Sequence, residues 1–450
     1  MSCPKQAARA ADFCFASCLL ITALLTVGTT YADTIAPQDR IPPGTIITNA
    51  NWRHFARFMP VGMQTLFAGD HFWTMPKDLK IEVGPTVPIP LPPKYREDTE
   101  RYRSQVKLKA SQDGGYIPDG YISGVPFLSP DKDPTLAPYK IFFDAYYRYT
   151  PRLQRAYTCN YAADSYGNVT LTETVDAVYS QLAHLSDVGF PQTVSSGGDY
   201  FSAKYLQQIS PEQGKYTTTL DITHLDITQL DDIYTYLPSA RRPLRLSDSS
   251  RCAPLVGTDF TWEEANEGPP SLPQKFNISY LGNRKILALV HVVQEAFANC
   301  GTPTNALPKY YYPTAKSIVP WAMPALGKWE LRDVYVIEMK RLPAFDSGYC
   351  YSNRVLYIDA ETYFPLATEL YDRDGKLYKF LFEFLMPLRV PQTGVALGAN
   401  GATLDSIVNF KDKHLTISTV EEPCYNTDCS ASYFDVERYA SPQGLMKIVQ

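Results

Sequence analysis

The chain has 450 residues, of which 45% are hydrophobic and 20% charged, a balance typical of a globular protein with a sizeable core. Its formal net charge is −5 and it has no lysine- or arginine-rich run, which argues against a nucleic-acid partner. Aromatic residues make up 13% of the chain, with 32 tyrosines, and this favours a β-rich fold.

The N-terminus has the pattern of a secretory signal peptide. Lys5 and Arg9 precede the apolar run "FCFASCLLITALLTVG", and the small residues Thr30 and Ala32 suit signal peptidase. We therefore predict that residues 1–32 are a signal peptide cleaved after Ala32. An uncleaved anchor is the alternative, but the run is shorter than the ~20 residues that a spanning helix needs.

Cysteine usage agrees with export. Three of the nine cysteines fall in the leader, and the even set that remains predicts disulfides. The stretch "CYNTDC" predicts a short loop closed by Cys424 and Cys429. Three pairings are open to the remaining four, Cys159, Cys252, Cys300 and Cys350. A zinc site is the alternative, but the sequence has no CxxC pair and no spaced histidine partner, so no metal is predicted.

Residues 33–110 are predicted to form an irregular N-terminal arm with short helices. The stretch "NWRHFARFMPVGMQTLFAG" has apolar residues at helical spacing, and "YREDTERYRSQVKL" is a charged helix. Between them, "PTVPIPLPPKY" is typical of an extended, polyproline-like strap.

Residues 111–450 are predicted to form one β domain. The stretches "RLQRAYTCNY" and "NVTLTETVDAVY" flank the turn "DSYG", and "FPLATELYD" and "KLYKFLFEF" flank "RDG". Successive hairpins of this kind indicate an antiparallel sheet. In "KWELRDVYVIEMKR", Tyr335 and Ile337 fall on the apolar face of a half-buried strand.

Two adjacent acids in "GTDFTWEEANE", Glu263 and Glu264, raise the question of catalysis. Thr261 and Glu264 match a capping box, which predicts that the acids begin a helix and that Thr261 and Glu264 are its structural cap. A catalytic pair is the alternative. The sequence has no GxSxG, HExxH, Walker or GxGxxG signature, so neither an enzyme nor a cofactor is predicted.

Several stretches together resemble the domain of unknown function 1329 family of bacterial periplasmic proteins. They are "YISGVPF", "TYLPSARRPLRLSD", "GTDFTWEEAN" and "YSNRVLYIDAETYFPLATELYDRDGKLYKF", in that order. The family is similar to outer-membrane lipoprotein-sorting and lipoprotein-carrier proteins. The resemblance implies a curved antiparallel sheet or open half-barrel with covering helices, a cavity for a lipophilic molecule, and the periplasm of a Gram-negative bacterium.

The strand "KLYKFLFEF" supplies the candidate ligand face. Tyr378, Phe380, Phe382 and Phe384 alternate onto one side, and with Tyr335 and Ile337 they are the predicted ligand-binding residues. A solid core is the alternative reading of the same alternation. The predicted function is a periplasmic carrier or chaperone for a lipid, with an envelope transporter or outer-membrane protein as its partner. The alternatives are a non-catalytic adaptor that binds a protein and a hydrolase with an unrecognised site.

Overall fold

The computed structural model describes residues 39–255, 257–264, 270–297, 309–392 and 396–447. The helices in this part of the chain are α1 (Val61–Ala68), α2 (Pro93–Tyr102), α3 (Ala137–Tyr146) and α4 (Val436–Tyr439). The strands are β1 (Ile46–Ile47), β2 (Ile81–Glu82), β3 (Lys107–Ala110), β4 (Tyr116–Asp119), β5 (Leu153–Ala163), β6 (Val169–Gln181), β7 (Tyr200–Ser210), β8 (Thr218–His224), β9 (Asp232–Leu237), β10 (Arg242–Arg245), β11 (Phe276–Ala288), β12 (Glu330–Arg341), β13 (Asn353–Asp359), β14 (Pro365–Tyr371), β15 (Leu377–Arg389), β16 (Ala396–Asn409) and β17 (His414–Tyr425).

A single curved, open antiparallel sheet dominates the described residues. Its thirteen strands run in the order β10-β9-β8-β7-β6-β5-β17-β16-β15-β14-β13-β12-β11. Two meanders, β5 to β10 and β11 to β17, therefore meet where β17 pairs with β5. The predicted fold class, mainly β with an antiparallel sheet, is confirmed.

The register of the strands separates two faces of this sheet, because directly opposed residues point to the same side. Ile337 of β12 is connected to Leu381 of β15 through directly opposed residues of β13 and β14, so both side chains point to the same side of the sheet. This side is called the front face. Phe380, Phe382 and Phe384 alternate with Leu381 and lie on the other side, which is called the back face.

The back face is packed solid beneath the N-terminal arm. The backbone N–H of Gly62 in α1 donates to Glu369 Oε1 at 3.1 Å, which holds the helix against β14. A Cβ at position 62 would lie 2.2 Å from Phe380 Cγ, so only glycine allows this approach. Further along β15, the ring of Trp321 lies 4.6 Å from that of Phe382 and 6.0 Å from that of Phe384.

The C-terminal segment covers the back face of β6, β7 and β8. Tyr439 in α4 meets Tyr205 of β7 edge-on, with ring centroids 5.1 Å apart, and Leu445 is fully buried in the same cluster. The disulfide between Cys424 and Cys429 fixes the point where the chain leaves β17 for this segment.

The helices of the N-terminal arm differ from those predicted, and proline explains the difference. The helix predicted in "NWRHFARFMPVGMQTLFAG" is two elements, a 3₁₀ helix at Trp52–Phe58 and α1, with Pro60 as the N-cap of the second. Pro60 has no backbone N–H to continue a helix, so the chain breaks there. The charged helix begins at Pro93, where proline is tolerated in the first turn.

Phe382→Ala tests the packing of the back face. Phe382 is 5% exposed and its ring packs at a tilt against those of Trp321, Phe380 and Phe384. We expect the substitution to lower the free energy of unfolding by about 3–5 kcal/mol, measured by denaturant titration, because it opens a cavity among rings held by the rest of the sheet. Phe382→Leu keeps more of the volume and should lose less. A loss below about 1 kcal/mol would contradict a solid core.

Candidate ligand-binding cavity

A loop with buried acids lies on the front face and forms one wall of the cavity. It comprises Leu255 and residues 257–264 and is called the wall loop. Asp259 is its first anchor, since its Oδ2 accepts hydrogen bonds from His414 Nδ1 at 2.7 Å and Thr416 Oγ1 at 2.9 Å. Asn409 Nδ2 donates to Asp259 Oδ1 at 3.1 Å, and Lys379 Nζ donates to the Asp259 carbonyl at 2.7 Å.

Glu263 is the second anchor of the wall loop. It is 5% exposed and accepts from Arg251 Nε at 3.3 Å, Arg354 Nη2 at 3.1 Å and the Tyr349 hydroxyl at 3.0 Å. Burial opposes the ionisation of Glu263, but the charges of Arg354 and Arg251 outweigh it and lower the pKa of this carboxyl below its usual value. The carboxylate therefore bridges two buried guanidinium groups, and Arg251 also pairs with Asp231.

Thr261 and Glu264 bond to each other across a turn. The Thr261 N–H donates to Glu264 Oε2 at 2.8 Å, and the Glu263 N–H donates to Thr261 Oγ1 at 3.2 Å. This is the reciprocal pattern expected of a cap. The body of the predicted helix falls on residues 265–269, which lie outside the described residues.

The partners of these acids form a transverse row on the front face. Arg354, Lys379, Asn409 and His414 stand in line on β13, β15, β16 and β17. Each of the four bonds or pairs with an acid of the wall loop, Lys379 approaching Glu264 Oε2 at 3.8 Å. The loop is therefore seated by charge complementarity over four strands.

Disulfides reinforce this arrangement. Cys252, just before the wall loop, is bonded to Cys350, which adjoins Tyr349. Cys159 of β5 also takes part in a disulfide, and Cys300 lies outside the described residues. The Cys252–Cys350 bond thus ties the base of the wall loop to the segment that presents two of its partners, Tyr349 and Arg354.

Beyond the wall loop, the front face of the sheet borders a cavity of about 240 Å³. Its floor is the front face of β5–β7 and β15–β17, and its walls are the wall loop and the end of α3. The residues that line it are Tyr146, Arg148, Thr150, Gln154, Arg155, Ala156, Thr158, Asn160, Glu173, Val175, Ala177, Val178, Tyr179, Phe201, Ser202, Lys204, Leu206, Thr223, Asp231, Leu255, Thr258, Phe260, Glu264, Ser271, Leu381, Glu383, Asp405, Ser418, Val420 and Tyr425.

The floor of the cavity changes in polarity along the strands. Its centre is apolar and built from small or branched residues, Ala156 beside Ala177 and Thr158 beside Val175. Two residues further along β5, Asn160 lies among the acids Glu173, Asp405 and Glu383. At the opposite end of β5, Gln154 neighbours Tyr179 and Tyr425. The cavity is therefore amphipathic, with an apolar middle between polar ends.

The structure places the six residues predicted to bind ligand away from this lining. Phe380, Phe382 and Phe384 are buried in the back-face core, and Tyr378 donates its hydroxyl to Asp412 at 3.1 Å. Ile337 and half-buried Tyr335 are on the front face of β12, a strand against which α3 packs. The residues of this strand that line the cavity are Leu381 and Glu383, at the alternate positions of the same stretch.

The described residues contain neither a metal site nor a membrane-spanning helix. Among them, no cluster of three or more His, Cys, Asp or Glu side chains is placed to hold a metal ion. No helix in the same part of the chain is both long and apolar enough to cross a membrane.

Glu263→Gln tests the electrostatic seating of the wall loop. The substitution keeps the size of the side chain but leaves the buried charge of Arg354 without its partner, so we expect a loss of about 3–5 kcal/mol in the free energy of unfolding. The control is Glu212→Gln. Glu212 pairs with Lys215 at 3.2 Å, but its side chain is 81% exposed, and exposed pairs contribute about 0–1 kcal/mol. Equal losses in the two variants, measured by denaturant titration, would contradict the account.

The His414–Asp259 pair predicts a pH dependence. The hydrogen bond to Asp259 raises the pKa of His414 above its usual value, against the opposing effect of burial. A raised folded-state pKa gives stability that is fully present below the unfolded value of about 6.5 and is lost as the pH rises through the folded value. His414→Gln should therefore lower Tm more at about pH 5.5 than at about pH 9. An equal or larger effect at the higher pH would contradict this sign.

The sequence profile of one protein family matches residues 46–445, and its description is "Protein of unknown function (DUF1329)". The resemblance predicted from the sequence motifs is thereby confirmed at the level of the family. No curated protein matches the chain.

Three solved structures are similar to the chain at low identity. A domain described as an outer membrane lipoprotein-sorting protein, from Vibrio parahaemolyticus, is 16% identical over 68% of this chain and 97% of its own, with a TM-score of 0.44. A DUF1329 family protein from Desulfovibrio piger is 16% identical over 68% and 99%, with a TM-score of 0.45. A LolA superfamily protein from Nitrosomonas europaea is 13% identical over 66% and 96%, with a TM-score of 0.35.

Proposed function

The chain belongs to the DUF1329 family, and we propose that it is a carrier that binds one lipophilic molecule non-covalently in the front-face cavity. The observation that carries this proposal is the cavity of about 240 Å³ with an apolar middle. Small-molecule sites are typically concave and mostly apolar, with a few polar groups that orient the ligand. An apolar cavity of about 150 Å³ is enough to hold benzene.

The sequence of the floor explains why space remains there. On β5 and β6 the front-face positions are occupied by Ala156, Thr158, Val175 and Ala177, whose side chains are short. The wall loop cannot fill the space because its acids are bound to the row at Arg354 and Lys379. Each methylene that a ligand buries in this space would contribute about 0.8 kcal/mol to binding.

A preformed wall favours binding. Asp259 and Glu263 hold the wall loop through hydrogen bonds from four strands or their flanking loops, so little ordering is required when a ligand enters. Association then loses less conformational entropy, and more of the apolar contact appears as affinity.

The periplasm is the compartment that fits this proposal. The disulfides Cys252–Cys350 and Cys424–Cys429 suit an oxidising environment, and a signal peptide at residues 1–32, as the sequence predicts, would direct export. The carrier would hand its cargo to an envelope transporter or outer-membrane protein. No step of this function requires a covalent intermediate.

Ala177→Trp tests the carrier function by filling the apolar middle. The probe is the neutral fluorophore N-phenyl-1-naphthylamine, titrated into protein stripped of bound lipid. We expect wild type to bind it and Ala177→Trp to lose about tenfold or more in affinity, because the indole occupies the space that the probe needs.

The matched control is Val188→Trp, which adds the same ring at a surface position that is 48% exposed. It should bind the probe like wild type. Circular dichroism and thermal melts establish that both variants are folded. Equal binding by a folded Ala177→Trp variant and wild type would place the probe elsewhere and contradict the proposal, as would the absence of any binding by wild type.

A further inference from the structure

A β-bulge in β7 brings the ring of Phe201 to the wall of the cavity. The pairing of β7 with β8 skips this residue and passes from Tyr200 directly to Ser202. Tyr200 packs in the cluster on the back face, whereas Phe201 stacks on Tyr146 at the end of α3, with ring centroids 5.7 Å apart. Phe201 and Ser202 both line the cavity, although neighbours in a regular strand point to opposite faces. The bulge therefore adds a ring to the cavity wall.

The ring of Phe201 stands between the cavity and a smaller space, which is called the second hollow, and it lines both. Tyr146, on one side of the ring, lines the cavity. Tyr147 and His184 line the second hollow, and their rings lie 5.9 Å and 5.8 Å from that of Phe201. The second hollow has a volume of about 10 Å³, which is room for about one water molecule. Phe201 is therefore the partition between the two spaces.

The wall of the second hollow consists mostly of rings. They belong to Tyr95, Tyr121, Tyr147, Tyr149, His184 and Phe201. The hydroxyls of Tyr95, Tyr121 and Tyr149 donate to acceptors within the protein at 2.7, 2.9 and 2.6 Å. Burial lowers the pKa of His184 below its usual value, so the imidazole is uncharged at neutral pH. The second hollow would therefore suit the end of an apolar chain if Phe201 did not close it.

We propose that Phe201 sets the length of the apolar chain that the carrier accepts, by closing the way to the second hollow. This inference rests on the carrier function proposed above and specifies its cargo as an apolar chain of limited length. The chain lies along the short side chains of Ala156 and Ala177, and its end meets the ring of Phe201. A methylene beyond that point finds no space in the cavity, so it buries no further surface and adds nothing to binding.

The end of the cavity at Phe201 suits a chain terminus better than the opposite end does. At the opposite end Asn160 stands beside Glu173, and an alkyl group placed against them would remove their hydration at a cost in free energy. At the Phe201 end, the stacked rings of Phe201 and Tyr146 supply apolar surface. Gln154 lies at this end too, but both polar atoms of its amide are buried and do not reach the cavity surface.

Competition by straight-chain alcohols tests whether the cavity selects chain length. Hexanol, octanol, decanol, dodecanol and tetradecanol share one head group, and each displaces N-phenyl-1-naphthylamine from lipid-stripped wild type at concentrations below its solubility limit. We expect affinity to rise about fourfold per methylene up to one length and then to stop rising, because longer chains meet Phe201. Affinity that rises without a limit through tetradecanol would overturn the inference while leaving the carrier function intact. Absence of probe binding would instead overturn the carrier function.

Variants of Phe201 assign the limit to its ring. Phe201→Ala joins the cavity to the second hollow, so the first alcohol beyond the wild-type limit should bind about tenfold or more tighter than it binds wild type. Phe201→Leu keeps more of the packing and should shift the limit in the same direction by less. Phe190→Ala is the matched control, because Phe190 is a half-buried residue that stacks on Phe434 and belongs to neither lining. It should keep the wild-type limit.

Thermal melts and circular dichroism establish which variants are folded. A wild-type limit in folded Phe201→Ala and Phe201→Leu would overturn the inference, and so would an equal shift in the Phe190→Ala control. Loss of stability alone would not move the limit, so this readout distinguishes selection of chain length from a purely structural role of the ring.

Discussion

The buried acidic side chains of the wall loop each need a hydrogen-bond or ion-pair partner. This requirement determines which polar residues stand on the front face of the sheet. Asp259, Glu263 and Glu264 enter a region with little water, where an unpaired carboxylate is costly. Their partners on the sheet are Arg354, Lys379, Asn409 and His414, which the register brings into one line across the five strands β13 to β17. The position of the loop therefore follows from the pairing of the strands.

The cavity is a consequence of where that loop is held. On the back face, α1, the segment around Trp321 and the C-terminal segment cover the sheet and leave a solid core. On the front face, α3 lies against β11 and β12 and the wall loop spans the row at Lys379. Neither element covers the short side chains of β5 and β6. A space with an apolar middle remains there.

Local sequence patterns predicted the kind of fold but not its long-range pairing. The turns "DSYG" and "RDG" marked two hairpins that the structure contains, β5–β6 and β14–β15. The pairing of β17 with β5 joins residues about 250 positions apart in the chain, and no local periodicity encodes it. Helix α3 was missed because Ile141, Phe142 and Phe143 are consecutive buried residues, so the helix lacks a clear polar face.

For the candidate site, too, the sequence predicted local features but not the long-range packing. Alternation in "KLYKFLFEF" identified a buried strand, but alternation alone does not say which elements cover each face. Gly62 and Trp321, which fill the back face, are distant in sequence. A signal for the cavity was present in β5, where Ala156, Thr158 and Asn160 alternate with the larger Tyr157 and Tyr161. The capping pattern of Thr261 and Glu264 predicted their mutual bond, while the arginines that bind Glu263 could not be read from it.

Native mass spectrometry of the protein purified from its own host tests the central claim most directly. If the front-face cavity carries a lipophilic cargo, the folded protein should be heavier than its polypeptide by the mass of one molecule, and organic extraction should release that molecule. The Ala177→Trp variant, purified in the same way, should lack the added mass. Equal occupancy of wild type and Ala177→Trp, or a wild type that consistently has the mass of the bare polypeptide, would contradict the account.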